Sequence, residues 1–272
     1  MLERKLDQRG RIAPLVGIAF GGGGIKAAAH GGVMKVFEEY NIPVDLVAGT
    51  SAGAAYASLY AYGYRSQHIS ELFQGVSPDY LMKVRLRRNG LIDGRRYEKL
   101  IRVCTDNGDI EDLSMPLAIV AVDLISAQKV VFTEGNISRA VRASSGVPGV
   151  IAPIKYQEML LADGFLLDNC PDGVLYDMGA DLVIAIDLSF EVEVEPQGFH
   201  EVIARSMEIM AQNCQQSSAD YVLKPMTQHV TFLDKKMFNQ CREWGEECAR
   251  KHIEEIIRLI EAKTVDLNKR SE

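Results

Sequence analysis

The sequence predicts an α/β fold built on a mostly parallel sheet, and three observations carry that prediction. The apolar run Leu15 to Phe20 is short and continuous rather than alternating, the pattern of a strand buried on both faces, and a second strand is read at Val44 to Ala48. Each runs into a glycine-bearing turn, Gly21 to Gly24 and Gly49 to Gly53. Each turn is followed by a helix-period segment, so the order strand, turn, helix repeats as it does in a parallel sheet with helices packed on it.

The elements follow in order. After Gly24, Ala29, Val33, Val36, Phe37 and Tyr40 recur at three- and four-residue spacing, which predicts an amphipathic helix that Asn41 and Pro43 stop. The second strand feeds Ser51 and a small-residue helix ending near Gly63. Further strands are predicted at Leu117 to Val122, Lys129 to Thr133, Glu158 to Ala162 and Leu182 to Asp187, with a short helix at Ser138 to Ala143. Glu201 to about Leu223 reads as helical, His229 to Leu233 as a late strand, and Asn239 to Lys263 as a terminal amphipathic helix with Cys241, Trp244, Cys248, Ile256 and Ile260 inward. No repeat, low-complexity tract or Pro/Gly/Ser linker divides the 272 residues, so a single domain is expected across 1–272.

Composition narrows the function. A hydrophobic share of 47% supplies a core, and a net charge of −7 speaks against a general nucleic-acid binder. The charged start Met1-Leu2-Glu3-Arg4-Lys5-Leu6-Asp7 lacks the apolar run of a secretory signal, and no stretch approaches the ~20 apolar residues of a membrane span. Five scattered cysteines without CxxC spacing or clustered histidines suggest reduced thiols rather than disulfides or a metal. A cytoplasmic enzyme is expected.

Gly49-Thr50-Ser51-Ala52-Gly53 matches G-x-S-x-G between a buried strand and a helix. A strand that reverses sharply into a helix strains its apical residue, and small neighbours relieve the crowding while leaving the serine oxygen exposed. The helix N-terminus directs positive charge at the same point, which suits a developing oxyanion. The glycine run about 27 residues upstream exposes backbone N–H groups, so Gly22, Gly23, Gly24 and Ile25 are candidate oxyanion donors. A Walker P-loop is excluded, because no Gly-Lys-Ser/Thr follows. Gly22-x-Gly24-x-x-Ala27 fits a dinucleotide fingerprint, but the acid it needs at the end of the second strand is absent, Asp45 standing at its beginning. A loop that merely lets helix pack on strand remains a third reading.

Taken in order, these segments resemble the patatin family of lipid acyl hydrolases. Gly22-Gly23-Gly24-Ile25-Lys26 is similar to the family's glycine loop and Gly49 to Gly53 to its nucleophile elbow. Ala162-Asp163-Gly164, with Asn169 and Pro171 after it, is similar to its Asp-Gly motif, and Val141 to Val150 to its Arg-Ala-Ser…Pro-Gly block. Gly90 to Gly94 is a further familiar segment, and the likeness spans about residues 14 to 190. The resemblance implies a patatin-like three-layer α/β/α architecture with a helical C-terminal segment. It implies a Ser–Asp dyad of Ser51 and Asp163, an oxyanion hole from the glycine loop supported by Lys26, Gly49, Gly53 and Gly164, and ester hydrolysis without metal or cofactor. Two residues depart from the family pattern: Ala27 stands where the family usually has glycine, and Phe165 where a small residue is usual after Asp-Gly and would narrow the pocket or pack beneath it.

An aspartate suffices as base where burial raises its pKa, and a carboxylate has no tautomer for a third residue to set. The competing α/β-hydrolase order Ser, Asp or Glu, His would use His200, His229 or His252. A non-catalytic lipid or partner binder is a reading of another class. Lys83, Arg85, Arg87, Arg88, Arg95 and Arg96 interleave with apolar residues over 81–96, a stretch that reads either as a peripheral membrane contact or as a solvated cap over the pocket.

Overall fold

The computed structural model describes residues 4–7, 9–76, 92–190, 195–196, 198–214, 216–232 and 234–269, with only the backbone of 199–201, 204 and 212–214. Its spine is one eight-stranded sheet. β1 (Val16–Phe20), β2 (Leu46–Thr50), β3 (Leu117–Asp123), β7 (Leu182–Ile186) and β8 (Tyr221–Leu223) run parallel in the order β3-β2-β1-β7-β8. β4 (Gln128–Phe132) and β6 (Met159–Asp163) pair antiparallel with β3, and β5 (Ile154–Tyr156) pairs antiparallel with β6.

Side chains alternate across this sheet and build two cores. Val16, Ile18, Phe20, Val47, Ile119, Ile184 and Ile186 enter the larger one. There they meet α1 (Ala28–Glu39), α2 (Ala52–Ala61) and the 32-residue α8 (Phe238–Lys269). On the opposite face the strands offer mostly small residues, Ala19, Ala48, Ala118 and Ala185, to the short helix α6 (Asp172–Asp177) through Val174 and Leu175. The layers are therefore helix, sheet, helix, with a thick side and a thin side. α3 (Ser66–Gly75), α4 (Arg95–Cys104), α5 (Ile137–Ser144) and α7 (Phe199–Cys214) complete the described helices.

Two sequence expectations are corrected. The helical reading of 201 to 223 ends at Cys214, and Tyr221–Leu223 joins the sheet instead, with Val222 opposite Ala185 and Leu223 opposite Ile186. His229 to Phe232 forms no strand, because it crosses the glycine turn, where the Phe232 carbonyl accepts the Ile25 N–H at 2.9 Å. Of the basic stretch 81–96, residues 81–91 lie outside the described residues, whereas Arg95 and Arg96 open α4.

Strand register places the site. β2 lies opposite β3 up to the pair Thr50–Val120, and β6 lies opposite β3 from the pair Asp163–Ala121. β4 pairs with β3 across both stretches, from Ile119 to Asp123, so β2 and β6 must share the other edge. They approach each other head-on along it. The end of β2 carries Ser51, the end of β6 carries Asp163, and their β3 partners are consecutive residues.

Candidate active site

Ser51 sits at φ 56°, ψ −124° between β2 and α2, a region that a non-glycine residue adopts only under local strain. Its carbonyl accepts the N–H groups of Ala54 and Ala55 at 3.1 and 3.3 Å, so the helix begins without a linker. The small residues of the elbow answer a close backbone approach: a Cβ on Gly53 would overlap the carbonyl of Phe20. A Cβ on Gly164 would likewise overlap the Val120 carbonyl and come within 2.9 Å of Thr50 Cγ2. The predicted residues Gly53 and Gly164 are thus the places where β1, β3 and the turns bearing Ser51 and Asp163 converge.

Ser51 Oγ donates to Asp163 Oδ2 at 2.7 Å, and Asp163 Oδ1 accepts the Phe165 N–H at 3.0 Å. Asp163 is fully buried, and burial pushes its pKa up from the ordinary carboxylate value to about 7, with the Ser51 and Phe165 hydrogen bonds pulling the other way. No Lys, Arg or His pairs with it among the described residues. A carboxylate in this state is a base matched to neutral pH.

Of the four amides expected as oxyanion donors, two are already hydrogen-bonded within the protein. The Gly22 N–H bonds to Asn169 O and the Ile25 N–H to Phe232 O, each at 2.9 Å. The amides of Gly23 and Gly24 have no acceptor among the described residues. The turn is braced from beneath by His30, which is fully buried and donates from Nε2 to Gly21 O at 2.8 Å. Burial drives the pKa of His30 down to about 4, so it stays neutral. Lys26 is nearly buried and lies 3.9 Å from Glu208 on α7, and burial lowers its pKa.

Gly23, Ser51 and Asp163 open on a cavity of about 650 Å³ whose walls include Phe73, Val76, Val147, Ile151 and Phe232. Phe165 lines this cavity. Ala27 is in the right-handed helical region, φ −61°, where alanine replaces glycine without strain. Of the candidate histidines, His229 reaches the cavity wall, while His252 bonds Tyr221 Oη at 2.6 Å on α8. The side chain of His200 lies outside the described residues. Among the described residues no group of three or more His, Cys, Asp or Glu is placed to hold a metal ion.

The sequence profile of the patatin-like phospholipase family matches residues 18–175. The chain belongs to that family. Its curated relatives include an uncharacterized NTE-family protein of Mycobacterium tuberculosis, 32% identical over 187 residues, covering 68% of this chain and 52% of that protein. Neuropathy target esterase sws of Drosophila melanogaster is 30% identical over 188 residues, covering 66% of this chain and 13% of that protein. The patatin-like chain therefore spans about half, or far less, of the relatives it matches. Among solved structures, VipD from Legionella pneumophila superposes with a TM-score of 0.62 at 13% identity, covering 93% of this chain and 70% of its own. The type III effector ExoU superposes at 0.50 and 14% identity, covering 95% and 56%. These two share the fold, and membership of the patatin-like phospholipase family supports a lipid hydrolase. No described helix is long and apolar enough to cross a membrane.

Two residues at this patatin-like site escaped the sequence reading. Ser144 accepts the Ser51 N–H, and His30 holds the glycine turn. Ser144 lies inside the Arg-Ala-Ser block, so the block was visible, but which of its residues faces the elbow was not.

Proposed function

We propose that the chain is a lipid acyl hydrolase of the phospholipase A type, with Ser51 as nucleophile and Asp163 as general base. Ser51 Oγ attacks the acyl carbonyl carbon while Asp163 takes its proton, and the Gly23 and Gly24 amides receive the negative charge on the carbonyl oxygen. The proton passes from Asp163 to the alcohol oxygen as the ester C–O bond breaks, leaving an acyl-serine. Water then attacks that ester, Asp163 takes the water proton, and the serine is reprotonated as the fatty acid leaves. No metal or cofactor takes part in these steps.

The observation that carries this reading is the 2.7 Å Ser51–Asp163 hydrogen bond opening on an apolar-walled cavity, with a carboxylate whose pKa is raised to about 7. A fluorescent fluorophosphonate probe and short-chain ester hydrolysis test it, on wild type, Ser51→Ala, Asp163→Asn and His229→Ala. Labelling and turnover should be lost in Ser51→Ala, and turnover lost in Asp163→Asn but kept in His229→Ala. Turnover that survives in Asp163→Asn and fails in His229→Ala would put a histidine in the base's place.

A further inference from the structure

Two residues at the C-terminal end of α5, Ser144 and Gly146, bond the backbone of both proposed catalytic residues. Ser144 Oγ accepts the Ser51 N–H at 2.7 Å and donates its own proton to the Val120 carbonyl at 2.5 Å. Two residues later, the Gly146 carbonyl accepts the Asp163 N–H at 3.1 Å. Ser144 is fully buried, as is Asp163. The neighbouring Ser145 hydroxyl turns back into its own helix and donates to Val141 O at 2.8 Å, so only one of the two hydroxyls faces the elbow.

The contact falls at a telling place. Val120 is the β3 residue opposite Thr50, and Ala121, the next one, is opposite Asp163. Ser144 therefore ties the strained residue at the end of β2 to the β3 position that separates it from the end of β6. The N–H of Ser51 precedes α2 and has no partner within that helix, so without Ser144 it would be a buried donor left unsatisfied, as the Val120 carbonyl would lose an acceptor role. Because this amide is occupied, the oxyanion must be met by other N–H groups, consistent with the open amides of Gly23 and Gly24.

We propose that Ser144 is a positioning residue for ester hydrolysis: it fixes the backbone of Ser51 while the Gly146 carbonyl fixes that of Asp163, and the short segment between them sets the distance across which the proton moves. This rests on the Ser51–Asp163 reading above. Ser144 touches neither substrate nor the reacting oxygen, and acts through Ser51.

The test uses the full chain carrying Ser144→Ala, with Ser144→Thr and the near-isosteric Ser144→Cys as conservative variants. In Ser144→Ala, kcat should fall about 100-fold with KM little changed, the scale at which a small misplacement of a reacting group is felt. The acid limb of kcat/KM should move to higher pH, because a displaced Ser51 no longer donates to Asp163 and that bond holds the carboxyl pKa down. Ser144→Thr should restore most of kcat, with Ser144→Cys intermediate and still serving if threonine is too large to fold. Loss of fold alone would lower the labelled fraction without moving the acid limb. A Ser144→Ala protein with kcat within threefold of wild type and an unmoved acid limb would overturn the proposal. So would unchanged hydrogen exchange at the Ser51 amide, which should speed up when its acceptor is removed. Wild-type protein that neither labels nor turns over would overturn the dyad reading itself, and amide exchange would then decide the clamp alone.

Discussion

At the N-terminal end of the sheet, Asp45 and Asp181 accept the N–H groups of Val16 and Leu15 at 2.9 Å each, and each carboxylate also meets a cation, Lys5 at 3.0 Å and Arg4 at 2.9 Å. At the C-terminal end, Asp163 likewise accepts one backbone N–H, from Phe165 at 3.0 Å, but its second partner is the neutral hydroxyl of Ser51. All three side chains are withdrawn from water, Asp45 to 8% and Asp181 to 13% exposure, Asp163 completely. The difference is the cation. Asp45 and Asp181 each hold a backbone N–H and a cation together, whereas Asp163 has no cation beside it among the described residues. At Asp163 burial raises the carboxyl pKa to about 7. One end of the sheet uses aspartate to tie down the chain, and in the function proposed above the other uses it as a base.

Removing the unpaired carboxylate should break the comparison most severely. Asp163→Asn preserves shape but cannot take a proton, and steady-state ester hydrolysis should fall on the order of 10⁴-fold. In wild type, kcat/KM should rise with pH through about 7 as Asp163 ionises. A profile flat from pH 5 to 9 would remove Asp163 from the role of base.

The same group should cost stability where it does its work. Its pKa is higher in the folded state than the 3.8 of a free carboxyl, so the folded protein binds the proton more tightly than the unfolded chain does. Stability is then full below about pH 4 and declines as pH rises toward about 7, where the buried carboxyl ionises. Asp163→Asn abolishes that decline. Its Tm should exceed the wild-type value at pH 8, by an increment worth on the order of a few kcal/mol, and the two should converge near pH 4. Thermal melts at both pH values decide this, and a variant less stable than wild type at pH 8 would mean that the Ser51 and Phe165 hydrogen bonds outweigh the burial of charge.

How much of this was legible in the sequence depends on whether a feature is local. β1, β3 and β7 show as continuous apolar runs because strands covered on both faces have few polar positions to spare. β8 did not show, because Tyr221–Leu223 is three residues long and its partner is set by β7 across the chain. Ser51 and the glycine turn were legible from spacing and turn chemistry, whereas Asp163 stood out only through the resemblance to the patatin family. That the Gly22 and Ile25 amides are occupied, leaving those of Gly23 and Gly24, depends on Asn169 and Phe232, which no local pattern brings to the turn. The head-on meeting of β2 and β6 is likewise a matter of register on β3, and register is invisible until strands are paired.

Where those two strands meet, a methyl group probes how tightly the catalytic end is built. Gly164→Ala drives a Cβ into the Val120 carbonyl and against Thr50 Cγ2. Thr50 ends the strand that leads into Ser51, and the Val120 carbonyl accepts the Ser144 hydroxyl. Overpacking of this kind costs about 1–3 kcal/mol, and the displaced turn should lower ester turnover along with Tm. Unaltered turnover in a destabilised protein would separate the packing of the turn from the placement of Asp163.

The smallest effect belongs at the other end. Asp181→Asn removes the ion pair with Arg4, whose side chain is 43% exposed, and weakens the hydrogen bond from the Leu15 N–H. An exposed pair contributes little, since water screens it and Arg4 loses side-chain freedom to make it. The bond to Leu15 is neutral in the variant and still possible through the amide oxygen. Together the loss should be about 1 kcal/mol. kcat/KM should stay within twofold, because Asp181 stands at the N-terminal edge of β7 and the reacting groups at the C-terminal ends of β2 and β6. A large drop in turnover from Asp181→Asn would mean that the two ends are mechanically coupled through β1 and β7, and that the division of labour between paired and unpaired aspartates is not as sharp as their partners make it.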